Sequence, residues 1–358
     1  SPTGPLHLGS LVAAAGSWLF ARHAGARWLV RIEDIDTPRV IPGSAEEILA
    51  ALARYGLEWD GEVVWQSKRL PLYAAALEQL RRSGRAFDCG CSRTEKCRCR
   101  EGLGEGRTAR AIRFRSTDAL MPFHDAVQGP IEERADDFVI RRADGLFAYQ
   151  LVVVVDDAEQ GVTQVVRGAD LLSSTPRQIA LQQALGYPTP SYAHLPLVVN
   201  ADGAKLGKRD GALPLPTLDD GRVRESLATA LAFLGIEVEP AAPRAMLDEA
   251  LRRFTPGVIR EKGSRRMSYD VVNNTAESRY ETTVDGEVSV AEYHREGNRI
   301  TFTHTIVPEK LEGRGIAGAI VKKALDDAKA EGLEVVAQCA YVKAYIKRHP
   351  EYEDLVRP

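Results

Sequence analysis

The chain has 358 residues, 44% hydrophobic and 27% charged, a balance ordinary for a soluble globular protein and a length suited to two or three domains. Its net charge of −3 excludes a globally basic nucleic-acid binder: no DNA partner is expected, and any RNA must be held by a local patch. No apolar run approaches the roughly 20 residues that span a bilayer, and no charged-then-apolar leader marks secretion, so a cytoplasmic protein with no membrane partner is expected.

Residues 1–10 form a Gly/Pro-rich loop that runs into an apolar, Ala-rich helix over residues 11–23. The chain starts at Ser1 without an initiator Met, and residues upstream are expected to be missing. A short strand over 27–32 ends in the acidic run Glu33, Asp34, Asp36. A helix over 45–55 is entered through Pro42, Gly43 and Ser44, with Ser44 as its N-cap, and a second amphipathic helix covers 72–83. Strand and helix in alternation imply an α/β fold with a parallel sheet.

Residues 88–109 are polar and rich in Gly and Cys, and read as an inserted lobe. Segments 138–142 and 147–155, joined by the turn Asp144-Gly145, read as a hairpin, with the run Val152 to Val155 as a strand buried on both faces. A strand over 161–167, a helix over 175–185, a strand over 195–200 and a helix over 222–234 follow, with a charged, Gly-containing loop at 202–211.

The texture then changes. Residues 255–266 hold Pro256, Gly257 and a basic cluster, and divide a first domain (1–254) from a second (268–358) through a linker at 255–267. The second domain reads as three strands (279–284, 287–294, 299–307), a helix (315–330), a strand (333–337) and a short helix near 342–348, a smaller α+β unit.

Two loops carry phosphate-binding chemistry. In the first, Pro2, Thr3, Gly4, His7, Gly9 and Ser10 precede a helix. The glycines let the backbone approach a ligand, and the helix N-terminus offers free N–H groups to phosphate. His7 can donate to charge developing on an α-phosphate. In the second, Lys205, Lys208 and Arg209 crowd a five-residue loop around Gly207 and can clamp a triphosphate. Either loop alone would read as a solvated surface segment; together and in this order they are far more specific.

The segment from Ser1 to Ser10 resembles the HIGH region of class I aminoacyl-tRNA synthetases, and Lys205-Leu206-Gly207-Lys208-Arg209 resembles their KMSKS loop. The strings Arg31-Ile32-Glu33-Asp34-Ile35-Asp36, Phe147-Ala148-Tyr149-Gln150 and Arg167-Gly168-Ala169-Asp170-Leu171 resemble the glutamate-activating branch. The resemblance implies a Rossmann-like catalytic core, ATP and Mg as cosubstrates, and His7 and Lys208 as catalytic groups. It implies that Glu33 holds the α-amino group of glutamate and that Tyr149 and Arg167 line its pocket with Ser1. An Arg that would bind the glutamate carboxylate is expected just upstream of Ser1. Ser10 stands where HIGH has its second His, and Gly207 where KMSKS has its Ser.

Only about fifty residues separate Arg209 from the linker, too few for an anticodon-binding module, so the chain is most similar to the glutamyl-queuosine tRNA(Asp) synthetases. That branch activates glutamate without tRNA and transfers it to queuosine, which implies the tRNA(Asp) anticodon stem-loop as partner. Four of five cysteines crowd into Cys89, Cys91, Cys97 and Cys99, which argues for a metal in a reducing compartment. The branch carries a zinc site of Cys-x-Cys with a later Tyr and Cys; here Cys97 stands in for the absent Tyr, giving four thiolates.

The stretch Leu311-Glu312-Gly313-Arg314-Gly315-Ile316-Ala317 lies between strand and helix and resembles the acetyl-CoA loop of GNAT-superfamily N-acetyltransferases, with Glu312 where Arg or Gln is usual. Arg314, Gly315, Ile316 and Ala317 are the implied acetyl-CoA contacts, and no acyl acceptor is legible. The competing readings are a truncated or split glutamyl-tRNA synthetase, and a catalytically inactive tRNA- or nucleotide-binding module.

Overall fold

In the computed structural model, which describes residues 1–92, 97–104, 106–199, 214–215, 219–259, 264–266, 269–284, 286–311 and 315–356, the Ala-rich stretch forms α1 (Leu8–His23). Its buried side includes Leu11, Val12, Ala15, Trp18, Leu19 and Phe20. Gly16 permits a close approach there: a Cβ would stand 2.6 Å from Leu195 Cδ1.

The first half then reads β1 (Arg31–Ile32), α2 (Ser44–Arg54), β2 (Val64–Trp65), α3 (Leu70–Arg82), β3 (Ala86–Cys89), β4 (Ala111–Phe114), β5 (Leu120–Asp125), β6 (Gly129–Arg134), β7 (Phe138–Arg141), α4 (Tyr149–Glu159), β8 (Gln164–Gly168), α5 (Thr175–Leu185) and β9 (Ser191–Leu195). After β9 come β10 (Leu197–Val199), α6 (Asp220–Phe233), α7 (Pro243–Arg253) and β11 (Ser264–Arg266). The last stretch holds β12 (Val272–Asn274), β13 (Arg279–Val284), β14 (Glu287–Glu296), β15 (Arg299–Ile306), α8 (Ile316–Ala330), β16 (Glu334–Ala337) and α9 (Ala340–Arg348).

By contacts the chain divides into two compact units, the first made of Ser1–Leu6, Leu11–Pro196 and Val223–Gly263, the second of His7–Ser10, Leu197–Arg222 and Ser264–Pro358. In the first unit β1 and β2 pair in parallel, and so do β8 with β9 and β5 with β9, giving the expected parallel α/β character. The order of the four-stranded sheet is β6-β5-β9-β8, with β6 antiparallel at its edge. A separate antiparallel sheet, β3-β4-β7, carries the cysteine-rich lobe.

Two local expectations are corrected. The residues expected as the second arm of a hairpin form a helix, α4, from Tyr149 onward. Residues Leu151 to Asp156 are all buried, so the segment is enclosed on every side rather than on two faces. A helix apolar all round is a buried helix, and an apolar run of this length does not distinguish that case from a buried strand. The second correction is at α2: Gly43, at φ 79°, is the N-cap, and Ser44 is the first helical residue with its side chain turned to another segment.

The first unit's main core joins α3, α4 and α5 around Tyr73, Leu77, Leu80, Val152, Ile179 and Leu181. In the second unit β10 and β11 pair in parallel, so the basic end of the expected linker is a strand. Its five-stranded sheet runs β12-β13-β14-β15-β16, antiparallel until β16 joins β15 in parallel. A register shift interrupts β14 between Glu292 and Tyr293, and α8 and α9 contribute Ile316, Ile320, Leu325, Val342 and Tyr345 to the core.

Candidate active site

The opening loop is pinned by its backbone. The Gly4 N–H donates to Ser44 Oγ at 2.8 Å, and the Ile41 N–H donates to the Pro2 carbonyl at 3.0 Å. Gly4 adopts φ 115°, a conformation that favours glycine. Pro2 and Gly4 are buried and Thr3 is half-buried. His7 directly precedes α1, and its carbonyl accepts from the Ser10 N–H at 2.8 Å, which places Gly9 and Ser10 in the first turn. Lys205 and Lys208 lie outside the described residues.

Glu33, Tyr149 and Arg167 are brought together from three elements: the end of β1, the first turn of α4, and β8. Burial pushes the Tyr149 phenol up, with Arg167 pulling it down and Glu33 adding to the rise. The Ser1 nitrogen stands 3.9 Å from Glu33 Oε2. A cavity of about 390 Å³ opens beside Glu33, and its lining includes Trp28, Arg31, Asp157, Gln160 and Thr163.

Three of these lining residues, Arg31, Asp157 and Gln160, belong to a charged network that reaches back to Asp156. Arg31 donates through Nη1 to Gln160 Oε1 at 2.8 Å, and its Nη2 is 2.9 Å from Asp157 Oδ1. Burial works against the Arg31 charge, but Asp157, Glu33 and Asp156 outweigh it and raise its pKa. Burial pushes the Asp157 carboxyl up, with Arg31 opposing. Asp156, fully buried, accepts from Arg69 Nε at 2.6 Å, Gln66 Nε2 at 2.9 Å and the Tyr73 hydroxyl at 2.9 Å. Burial also pushes the Tyr73 phenol well up. Sequence reasoning gave Arg31, Asp156 and Asp157 no role. Their signal is a pair of carboxylates directly after a valine run, where a buried charge demands a partner.

Arg167 is held in turn. Its Nε donates to His194 Nε2 at 3.0 Å and its Nη2 to Thr175 Oγ1 at 2.8 Å. Its guanidinium carbon stands 5.7 Å from the centre of the Tyr192 ring.

The four clustered thiols converge. Every sulfur lies within 4.8 Å of the others, with Cys89–Cys97 at 3.6 Å and Cys91–Cys99 at 3.5 Å. Tetrahedral zinc with bonds of about 2.3 Å sets its sulfurs roughly 3.8 Å apart, so the donor set fits the ion. All four are free thiols. Burial raises the Cys89 thiol to about 12, a value that a bound cation would reverse, whereas a backbone hydrogen bond at Arg98 leads in lowering Cys91. Gly90 sits in a tight knuckle, where a Cβ would stand 2.8 Å from the Thr108 carbonyl oxygen.

In the second unit Gly315, at φ 82°, is the N-cap of α8, and its carbonyl accepts from Ala319 at 3.1 Å. The Ile316 side chain is core, and Ala317 is on the first turn of the helix. Arg314 lies outside the described residues. Cys339 caps α9 and touches Thr305 Oγ1 at 3.4 Å; although burial acts in the opposite direction, that contact helps lower its thiol pKa.

Residues 1–111 and 99–262 match the family model of class I tRNA synthetases (E and Q), catalytic domain, and residues 279–355 match that of GCN5-related N-acetyl-transferases. A glutamyl-Q tRNA(Asp) synthetase of Aromatoleum aromaticum is 52% identical over 267 residues, covering 70% of this chain and 84% of that protein. Another from Geobacter sulfurreducens is 50% identical over 287 residues, covering 72% and 91%. The crystal structure of glutamate-tRNA synthetase from Elizabethkingia anophelis aligns at TM-score 0.63 and 27% identity, over 75% of this chain and 66% of that one.

Proposed function

The chain belongs to the glutamyl-Q tRNA(Asp) synthetases, a branch of the class I glutamyl and glutaminyl synthetases, and carries a GNAT domain behind the ligase core; on that premise we propose that it activates glutamate with Mg-ATP without needing tRNA and transfers it to queuosine in the anticodon stem-loop of tRNA(Asp). The observation that carries this reading is the electrostatic proximity of Glu33, Tyr149 and Arg167, with Glu33 also on the wall of a cavity of about 390 Å³. Glu33 offers a carboxylate to the substrate's α-amino group, and Arg167 offers a guanidinium to a carboxylate.

In the first step a glutamate carboxylate oxygen attacks the α-phosphorus of ATP, a P–O bond forms, and pyrophosphate leaves. The protein contributes alignment and charge neutralisation. His7 and the backbone N–H groups that open α1 are the groups assigned to the phosphates, with Lys205 and Lys208 assigned as the second clamp. Mg neutralises phosphate charge when bound with ATP. In the second step a hydroxyl of the modified base attacks the activated carbonyl and AMP leaves. Cys89, Cys91, Cys97 and Cys99 would hold zinc in a structural, fully ligated site. This reading places the protein in the cytoplasm.

The test is ATP–pyrophosphate exchange without tRNA, comparing glutamate, glutamine and aspartate, on the protein with any residues that precede Ser1. Glutamate-only exchange, followed by transfer to queuosine-bearing but not unmodified tRNA(Asp), is expected. Exchange that requires tRNA(Glu), or charging of its acceptor end, would favour an ordinary glutamyl synthetase. No exchange from folded, zinc-loaded protein would leave the binding-module reading.

For the GNAT domain we assign acetyl-CoA to the first turn of α8, with the backbone N–H groups of Gly315, Ile316 and Ala317 assigned to its pyrophosphate and Arg314, the preceding residue in the sequence, assigned with them. Calorimetric titration with acetyl-CoA tests it, and no heat at millimolar ligand would remove the assignment.

A further inference from the structure

The Arg167 guanidinium is held from behind by two fully buried residues that no motif marks. His194 and Asp125 are both 0% exposed. Asp125 Oδ1 accepts from the backbone N–H groups of Val127 at 3.0 Å, Gln128 at 2.8 Å and His194 at 3.0 Å. Its Oδ2 stands 2.6 Å from His194 Nδ1. With backbone donors already on Oδ1, this carboxylate is an acceptor, so Nδ1 carries a proton. The pKa of Asp125 is lowered: burial acts upward, and the hydrogen bonds from His194 and the backbone outweigh it.

With the proton on Nδ1, the neutral ring presents a lone pair at Nε2, and Arg167 Nε–H points at it from 3.0 Å. The Thr175 hydroxyl completes the cradle, 2.8 Å from Arg167 Nη2 and 3.1 Å from His194 Nε2. Nε and Nη2 are thus committed to the protein, whereas Nη1 has no protein acceptor among the described residues. The Gln128 side chain donates to the His194 carbonyl at 2.8 Å and ties the strand to the same turn.

We propose that Asp125 and His194 form a buried positioning relay that fixes the Arg167 guanidinium by its Nε–H, so that Nη1 is presented to a carboxylate of the amino-acid substrate. This rests on the assignment of Arg167 to the glutamate pocket. Neither His194 nor Asp125 touches substrate; both act through Arg167. A free arginine side chain loses rotamer freedom on binding, and a guanidinium held beforehand has already done so. The relay therefore acts on glutamate affinity and on discrimination against amino acids without the matching carboxylate, and leaves ATP affinity alone.

Three variants test it in the full chain: His194→Leu, His194→Asn and His194→Gln. A glutamine side chain reaches the Nε2 position and can offer Arg167 an acceptor; asparagine reaches only the Nδ1 position. The expected result is a rise of about tenfold or more in KM for glutamate in His194→Leu and His194→Asn, with KM for ATP unchanged and His194→Gln within about threefold of the parent. Equal KM values for glutamate in all folded variants, or KM for ATP rising in step, would overturn the relay.

A second readout is independent of substrate: protection of the Arg167 Nε–H from water exchange by NMR. It should be slow in the parent and His194→Gln and fast in His194→Asn, and equal rates would overturn the proposal. A parent protein that binds no glutamate but keeps a protected Nε–H would sink the function assigned above while leaving the relay standing. Should His194→Leu not fold, the Gln and Asn pair carries the same contrast.

Discussion

Glu33 and Cys89 take their weight from their neighbours. Glu33 sits with Arg31 and Asp157 on the wall of one cavity, so Glu33→Gln removes the charge proposed to hold an α-amino group while keeping the side chain's shape. We expect KM for glutamate to rise about tenfold to a hundredfold in the exchange assay, the scale of one charge-assisted hydrogen bond. Arg69 is a case of stability rather than binding. It is a cationic partner of the fully buried Asp156, at 2.6 Å, and Arg69→Leu should destabilise by about 3 kcal/mol in urea unfolding, the low end for a broken buried pair because Gln66, Tyr73 and Arg31 remain. Asp125 gives a pH signature. Its folded pKa is depressed below the ordinary 3.8, so its contribution is complete above that value and is lost as pH falls through the lower folded value. Asp125→Asn should lower stability at neutral pH and make the acid limb of the stability curve shallower below about pH 4. The charge partners in these examples were not legible in advance, because Asp156 and Arg69 are 87 residues apart and no spacing rule joins them.

At the scale of elements, the cysteine lobe and α4 teach opposite lessons. The lobe's chemistry was written locally: four thiols within eleven residues, on a strand end and the loop after it, converge within 4.8 Å. Chelation of metal from the holo-protein, or Cys89→Ser, should lower the melting temperature and release close to one zinc per chain in a colorimetric assay, because metal binding to such a site is folding free energy. The valine run predicts a strand where helix α4 stands. Four consecutive valines favour an extended chain by propensity, yet α3 and α5 enclose the segment and let every side chain bury. Tyr149, the residue proposed for the glutamate pocket, is expected in a hairpin arm from its sequence; it opens a helix instead, and from that first turn it feels the Arg167 charge.

For the whole molecule, the two family matches follow one another and do not overlap: residues up to 262 for the synthetase and 279–355 for the acetyltransferase. Separate chemistry at the two sites leads to a separable pair of phenotypes. Gly315→Val puts a β-branched residue at φ 82°, which should abolish acetyl-CoA binding in calorimetry and leave glutamate-dependent exchange at the parental rate. Loss of both together would mean the two chemistries are coupled.

What the sequence determined by itself was the order of motifs, the clustering of four cysteines and the family, because each is written in short runs whose chemistry depends on near neighbours. What only the tertiary structure decided was the state of the valine run, the capping of α2 by Gly43, and the partners of the buried charges. These depend on which surfaces enclose a segment, and burial is a property of contacts between elements distant in sequence. The Asp125–His194–Arg167 chain is the clearest case: its members are separated by 69 and 27 residues, and only the parallel pairings of β9 with β8, which sets Arg167 opposite His194, and with β5, which carries Asp125, bring them into one line.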